Sequence, residues 1–300
     1  MALQNSTSRP IKTVSFHQNW SAYAFLAPAL VILFLSLLLP AVATLLMSFT
    51  DVSFLKPTSF VGFDNYIKLF NDTRFQQAVG NTIHYTIGVT FPTMVLGLLA
   101  AVVLNQKVPG RMAFRTIFYL PVLTSLIAAA VVWAYVYEPY AGPLNGVLTR
   151  VGLPPQPWLQ NPSLAMNSLI IMAIWRDFGT AMIIYLAGLQ DIPNDLYEAA
   201  RLDGAKGKDI FLRITVPMLS SVTFYLLIIL IVQTFQVFGA IYVMTQGGPL
   251  GSTETVVYQM YQTAFGYTEF GYSAAMSTIL FLTILVFSII GTRIMRRKDV

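Results

Sequence analysis

An all-α fold that crosses a lipid bilayer six times is predicted by three features of this chain: its shortage of charge, its long apolar runs and the uneven placement of its basic residues. Hydrophobic residues make up 56% of the 300 residues and charged residues 10%, against about 25% charged in an average soluble domain. So few charges cannot cover a water-facing surface, and the chain must meet lipid over much of its area. The absence of cysteine removes disulfides and thiolate metal sites. The formal net charge of +5 is carried at the ends of apolar runs rather than in one stripe, which speaks against a nucleic-acid partner.

A helix crosses the hydrocarbon core with about 20 apolar residues. Six segments reach that length, at 22–49, 79–104, 116–137, 164–189, 220–244 and 272–290. They do not alternate in polarity, as the shorter strands of a membrane barrel do. The first run follows Arg9 and Lys12 and contains Ala41-Val42-Ala43, a string like a signal-peptidase site. Its apolar length is nearly twice the core of about 7–15 residues found in a cleaved signal, so it is expected to stay as a helix. The expected organisation is a tail at 1–21, a six-helix domain at 22–292 and a basic tail at 293–300, with no loop long enough for a separate core.

Orientation follows from Lys and Arg in the loops. Thirteen basic residues fall on the side of the two termini and four (Lys56, Lys68, Arg74 and Arg150) on the other, with Arg176 inside a span. That bias predicts cytoplasmic termini. The stretch from Met244 to Gly271 lacks Lys and Arg and is expected to face outward. The stretch at 138–162, rich in Pro and Gly, reads as an irregular outer connection with little helix. Trp133, Tyr135 and Tyr137 read as an interfacial aromatic belt.

The segment at 191–217 is the most informative. Pro193 suits the first turn of a helix that Asp191 or Asn194 could cap. Gly204 can adopt positive φ and end it. Ile210, Phe211 and Ile214 begin a second short helix, and Pro217 opens the next span. An amphipathic helix pair of this kind either docks in a groove on a partner or lies on the membrane surface.

Within this segment Glu198-Ala199-Ala200, Gly204, Ile214 and Pro217 stand in the register of the EAA loop of ABC importer permeases, with Val216 where Leu is commoner. The segment resembles that loop closely. Weaker resemblances to the carbohydrate-uptake branch lie in Phe60-Val61-Gly62-Phe63-Asp64-Asn65-Tyr66, in Phe114-Arg115 with Tyr119-Leu120-Pro121, and in Thr245-Gln246-Gly247-Gly248-Pro249. The maltose-type and glycerol-phosphate-type first permeases are the most similar branch. The resemblance implies a type I importer permease fold in a bacterial or archaeal inner membrane. It also implies a second homologous permease, an ATP-binding-cassette ATPase dimer and an extracytoplasmic solute-binding protein. The ATPase-coupling role it implies falls on Glu198, Ala199, Ala200, Arg201, Asp203, Gly204, Ala205, Ile214 and Pro217.

The chain carries no P-loop of its own. The nearest string, Gly207-Lys208-Asp209, lacks the Ser or Thr, and Leu202 stands at the first Gly position. ATP and Mg are therefore expected on the ATPase partner, with no cofactor on this chain. His17 and His84 have no metal-ligand spacing, and His84 reads as an interhelix hydrogen-bonding group.

Charge within a span is costly and is by default functional. Arg176 and Asp177 are the charged pair near the centre of the fourth span, with Trp175 before them and Thr180 one turn on. Neighbours in sequence diverge by about 100° on a helix, so Arg176 and Asp177 need not pair with each other. Gln233, Thr234 and Gln236 interrupt the fifth span near Phe235 and Phe238. Both groups fit a solute cavity or interhelix bonding. The maltose-type resemblance favours the cavity, since the corresponding parts of spans four and five line its sugar site. The alternative of an ion-coupled secondary carrier needs buried carboxylates or broken helices at midplane. Asp177 is the one acidic candidate, and no half-helix pair is legible.

Overall fold

The computed structural model describes residues 20–53, 57–106 and 109–296. Arg9, Lys12 and His17, Lys56, Lys107, and Arg297 with Lys298 lie outside the described residues. So do most of the two predicted tails. Among the described residues five helices are long and apolar enough to cross a membrane, or six if one sharply bent pair is counted as a single crossing.

The described residues up to Leu46 form one unit and those from Met47 onward the other. In the first, α1 (Trp20–Leu33) runs through one wide turn, Phe34–Leu38, into α2 (Leu39–Met47). Pro28 lies inside α1.

The second unit opens with α3 (Asp64–Asn71), whose Asn65 Nδ2 donates to the carbonyls of Ser48 and Thr50 at 2.9 and 2.8 Å. Tyr66 meets Ser48 Oγ at 2.6 Å. The Asn65–Tyr66 string thus fastens the short helix to the turn at Ser48–Thr50. Next comes α4 (Thr73–Asn105), 33 residues long, which begins six residues before the apolar run does. Asp72 explains the early start, since its Oδ1 accepts from the backbone N–H of Arg74 and Phe75.

The third crossing is the main departure from expectation. It is not one helix over 116–137 but α5 (Arg111–Tyr119), a tight turn Leu120–Leu123 and α6 (Leu126–Val136). The two halves are bent by 98°. Pro121 has no N–H to continue the ladder, and Thr124 Oγ1 and N both bond back to its carbonyl.

The Pro- and Gly-rich connection holds more helix than its composition suggests: α7 (Pro143–Arg150) lies within it. Asn145, buried in α7, organises the whole connection. It donates to the carbonyls of Pro139 and Gln156 and accepts from Gln156 N and Trp158 Nε1 at 2.9–3.0 Å. The long α8 (Pro162–Gln190) follows, capped by Asn161 with Pro162 in its first turn.

Beyond α8 lie α9 (Asn194–Leu202), α10 (Gly207–Ile210), a wide turn Phe211–Thr215 and α11 (Val216–Met218). The fifth crossing divides into α12 (Ser220–Phe235) and α13 (Gly239–Met244). After it come α14 (Val256–Tyr261), another wide turn Gln262–Gly266, and α15 (Phe270–Arg296).

The body is built on α4 against α8. Gly97 permits this approach, for a Cβ there would sit 2.6 Å from Ala181 Cβ and 2.9 Å from Met182 N. A central cluster gathers Val89, Leu169, Met172, Tyr137 and Ile241. Another joins Ala101, Met182, Leu189 and Leu226 at the end shared by α9. A third joins Leu69, Phe75, Val256 and Met276 at the opposite end. The aromatic belt is corrected here: Tyr135 is exposed, but Tyr137 is 1% exposed and Trp133 packs against its ring at 5.2 Å. Tyr137 Oη donates to the Ser168 carbonyl at 3.0 Å, so its polar tip is satisfied inside the protein rather than at a lipid interface. His84 is also corrected, being exposed on α4 rather than turned toward a neighbouring helix.

At the end away from α9, Arg74 grips Glu254 in a two-pronged ion pair with N–O distances of 2.7 and 2.9 Å, and Nη1 donates to Tyr267 Oη. The Glu254 side chain is 8% exposed. Arg74→Ala leaves that carboxylate buried without its partner, which should cost about 2 kcal/mol. Thermal inactivation of the detergent-solubilised protein checks this, and adding Glu254→Gln should recover part of the loss.

Candidate functional site

Six of the seven predicted binding residues meet at one cavity of about 390 Å³: Arg176, Asp177, Thr180, Gln233, Thr234 and Gln236. The local backbone explains the convergence. On α8, Arg176, Asp177 and Thr180 fall on the stripe that faces α12. On the fifth crossing, the ladder ends at Gln236 (φ −97°, ψ 15°) and restarts after Phe238 (φ −139°, ψ −58°). That break turns the two Gln side chains and Phe238 toward the space. A Cβ on Gly239 would stand only 3.1 Å from Leu126 Cδ2, so the absence of a side chain there helps seat α13 on α6.

Trp175 is the exception. It points away from the cavity and lines a separate apolar groove with Leu99, Phe118, Trp133 and Phe178. Its ring meets that of Trp133 edge-on at 5.5 Å. Its place one residue before Arg176 puts it about 100° round the helix.

Helix geometry left open whether Arg176 and Asp177 pair, and in the structure they do. Arg176 Nη1 donates to Asp177 Oδ1 at 3.0 Å, and both side chains are 26% exposed. The long Arg side chain folds back across the gap between adjacent Cβ directions. Arg176 Nε is buried and has no hydrogen-bond partner among the described residues. The charge is thus internally neutralised while a donor remains unused.

Thr234 is partly committed, because its hydroxyl donates back to the carbonyls of Leu230 and Ile231. Gln233 and Gln236 are exposed within this chain. Tyr85 of α4, 4% exposed, also lines the cavity and was missed. Its signal was a single polar tip in an apolar run, which does not distinguish cavity from interface. The cavity holds amide, hydroxyl and guanidinium groups beside the faces of Tyr85 and Phe238, a set suited to a hydroxyl-rich solute. Among the described residues there is no cluster of metal-ligating side chains.

The second site is the segment from Asn194 to Met218. Gly204 has φ +76°, and Ala205 N donates to the Ala200 carbonyl at 2.9 Å, closing α9 as expected. The predicted cap is corrected. Pro193 itself precedes the first helical residue, and neither Asp191 nor Asn194 supplies a capping side chain. Glu198 and Arg201 line a pocket of about 480 Å³ with Asn105, Leu189 and Phe211. Tyr197 Oη meets Thr215 Oγ1 at 3.3 Å and ties α9 to the second short helix. Ala199, Arg201, Asp203 and Ala205 sit around the turn at Gly204. Ile214 and Pro217 belong to the stretch that leads into α12. A Cβ on Gly204 would meet nothing within 4 Å, so this turn projects clear of its own chain.

Residues 93–300 match the family described as the binding-protein-dependent transport system inner membrane component. The chain is 34% identical over 304 residues to the arabinooligosaccharides transport system permease protein AraP of Bacillus subtilis, covering 97% of this chain and 96% of that one. It is 31% identical over 297 residues to the sn-glycerol-3-phosphate transport system permease protein UgpA of Salmonella typhimurium, covering 98% of each. Its fold matches a crystal structure of a bacterial ABC transporter involved in import of the acidic polysaccharide alginate. That match has a TM-score of 0.83 and 25% identity, over 94% of this chain and 96% of that one. A bundle with two interrupted crossings, a polar cavity between them and an EAA-type turn standing clear at one end, joined to these likenesses, places the chain in the binding-protein-dependent inner membrane component family, as a permease subunit of an ABC importer.

Proposed function

We propose that this subunit forms half of the pathway for a neutral, hydroxyl-rich carbohydrate. The observation that carries the reading is the cavity chemistry. Arg176 is answered by Asp177 at 3.0 Å, so the pair carries no net charge, while the two Gln side chains remain for hydroxyls. The relative named for arabinooligosaccharides and the neighbour that imports alginate support a carbohydrate. The relative named for glycerol phosphate keeps one rival, in which Arg176 binds an anionic group.

In this reading the termini and the Asn194–Met218 segment face the cytoplasm, and the wall of the inner membrane surrounds residues 22–292. The turn at Gly204 docks in an ATPase dimer that alone binds ATP and Mg. A second permease covers the open side of the cavity, where Gln233 and Gln236 stand exposed. A binding protein delivers solute to the end that carries Glu254 and Asn145. ATP-driven closure of the ATPases moves α9, and the pocket between α9 and the ends of α4 and α8 carries that motion into the two helices that line the cavity. An ion-coupled carrier would draw on Asp177, which is already paired, and on the two broken crossings that the sequence did not reveal, but the likeness to importer permeases weighs against it.

Two experiments test this. With the reconstituted transporter, uptake of neutral sugars should require ATP and be unaffected by dissipating ion gradients. Asp177→Asn should weaken neutral-sugar uptake by about tenfold, the worth of one charged hydrogen-bonding group, and raise binding of anionic solutes. If the parent chain already prefers glycerol phosphate over every neutral sugar, the neutral reading is wrong. Gly204→Trp should abolish coupling while membrane insertion, followed by immunoblot, stays normal. Gly204→Ala, which adds strain of only about 1 kcal/mol at this φ and little bulk, should retain most transport. Normal transport by the Trp variant would remove the docking assignment.

A further inference from the structure

A run of aromatic rings leads out of the cavity. Phe238 lines the cavity wall. Its ring lies 5.4 Å from that of Tyr242, nearly parallel, and 5.1 Å from that of Tyr261. Tyr242 and Tyr261 meet edge-on at 5.4 Å. The run continues from Tyr261 to Phe265 at 5.3 Å and from Phe265 to Phe270 at 5.9 Å. The topology gives it a direction. Phe238 stands at the break in the fifth crossing, Tyr242 on α13, Tyr261 at the end of α14, and Phe270 at the first residue of α15. The rings therefore climb from the cavity to the end of the bundle opposite α9.

These rings are not packed away inside the chain. Tyr242 is 44% exposed and Phe265 is 67% exposed. Beside them on α13, Ala240 and Ile241 are fully buried against α6, so the short helix sends its small and aliphatic residues inward and its ring outward. Two tyrosines in the run make a hydrocarbon-facing surface costly, because a phenol hydroxyl in lipid loses its hydration. A wide helical turn, Gln262–Gly266, carries Phe265, and such turns recur at functional sites. Aromatic faces bind the apolar face of a sugar ring while tyrosine hydroxyls bond its rim.

Resting on the carbohydrate reading above, we infer that Phe238, Tyr242, Tyr261, Phe265 and Phe270 form a track on which successive sugar rings stack between the outer mouth and the cavity. The ring centroids are 5–6 Å apart, so a sugar ring leaving the exposed side of one meets the next without crossing a gap. A chain of several sugars occupies more than one face at once, so the track selects oligosaccharides over single sugars.

The chain has no cysteine, so single-cysteine variants report cleanly. Tyr242→Cys, Tyr261→Cys and Phe265→Cys would be expressed in cells with the partner subunits, and Phe91→Cys on the apolar face of α4 would serve as comparison. The probe is a charged, membrane-impermeant methanethiosulfonate added from outside. The three track positions should be modified in the assembled transporter and the comparison position spared, with uptake of a neutral oligosaccharide falling after modification. Phe265→Ala should raise KM about fivefold for a tetrasaccharide and change it little for a disaccharide, with ATPase activity intact. If uptake is normal and the three cysteines are unreactive, this face is covered by the second permease or by lipid, and the track is excluded. A length-independent KM in Phe265→Ala excludes it equally. If no sugar supports ATP-driven uptake at all, the carbohydrate reading falls first, and the labelling pattern then shows whether the face is wet regardless.

Discussion

Inside a bilayer a backbone amide has no water to turn to, so a helix can be interrupted only where protein or a wet cavity takes over its hydrogen bonds. This chain interrupts two crossings, at Thr124–Ser125 and at Gln236–Phe238, and both interruptions border the same cavity. Val122 and Leu126 lie on one side of it and Gln236 to Ala240 on the other. The rest of the architecture serves that arrangement. The unbroken α4 and α8 make the wall against which the broken crossings lean, and Gly97 lets those two helices come close enough to be rigid. The polar cavity groups come from both kinds of helix: Arg176, Asp177 and Thr180 from the unbroken α8, and Gln236 from the point where the fifth crossing breaks.

The coupling end uses a different principle. Here the helices are short, closed by positive-φ glycine and by backbone bonds rather than by buried apolar mass. Tyr197 and Thr215 pin the two short helices together, so a push on α9 is transmitted as a unit toward α12. At the far end the scheme reverses, with the Arg74–Glu254 pair and the Asn81 bonds to the carbonyls of Gly251 and Glu254 holding the 245–255 turn onto α4. One end projects a short-helix turn clear of its own chain, and the other is held together by a buried ion pair and amide bonds.

Apolar length made the crossings legible, and the fixed spacing of Glu198, Gly204 and Pro217 made the coupling segment legible before any coordinates. Six of the seven residues picked from the sequence do line the cavity, because charge and amides inside apolar runs are rare enough to stand out. What escaped is what depends on side-chain direction. Trp175 adjoins Arg176 in sequence but faces another groove. Tyr137 looks like an interfacial ring until Ser168 is seen beside it. The bend at Pro121 was visible only as a proline, which many membrane helices carry without breaking. Asn145 shows the same limit, for nothing in a Pro- and Gly-rich stretch announces that one amide will gather four bonds and fold it.

The pairing of Arg176 with Asp177 bears on energetics as well as on recognition. Moving one net elementary charge through the full membrane field costs or yields about 2.3 kcal/mol per 100 mV. A cavity wall whose charges cancel within 3.0 Å presents almost no monopole to that field when the helices rock. With the neutral cargo proposed above, such a machine would turn over at the same energetic cost in a fully polarised cell and in a depolarised one. Its supply of solute is then insulated from the electrical state of the membrane it sits in.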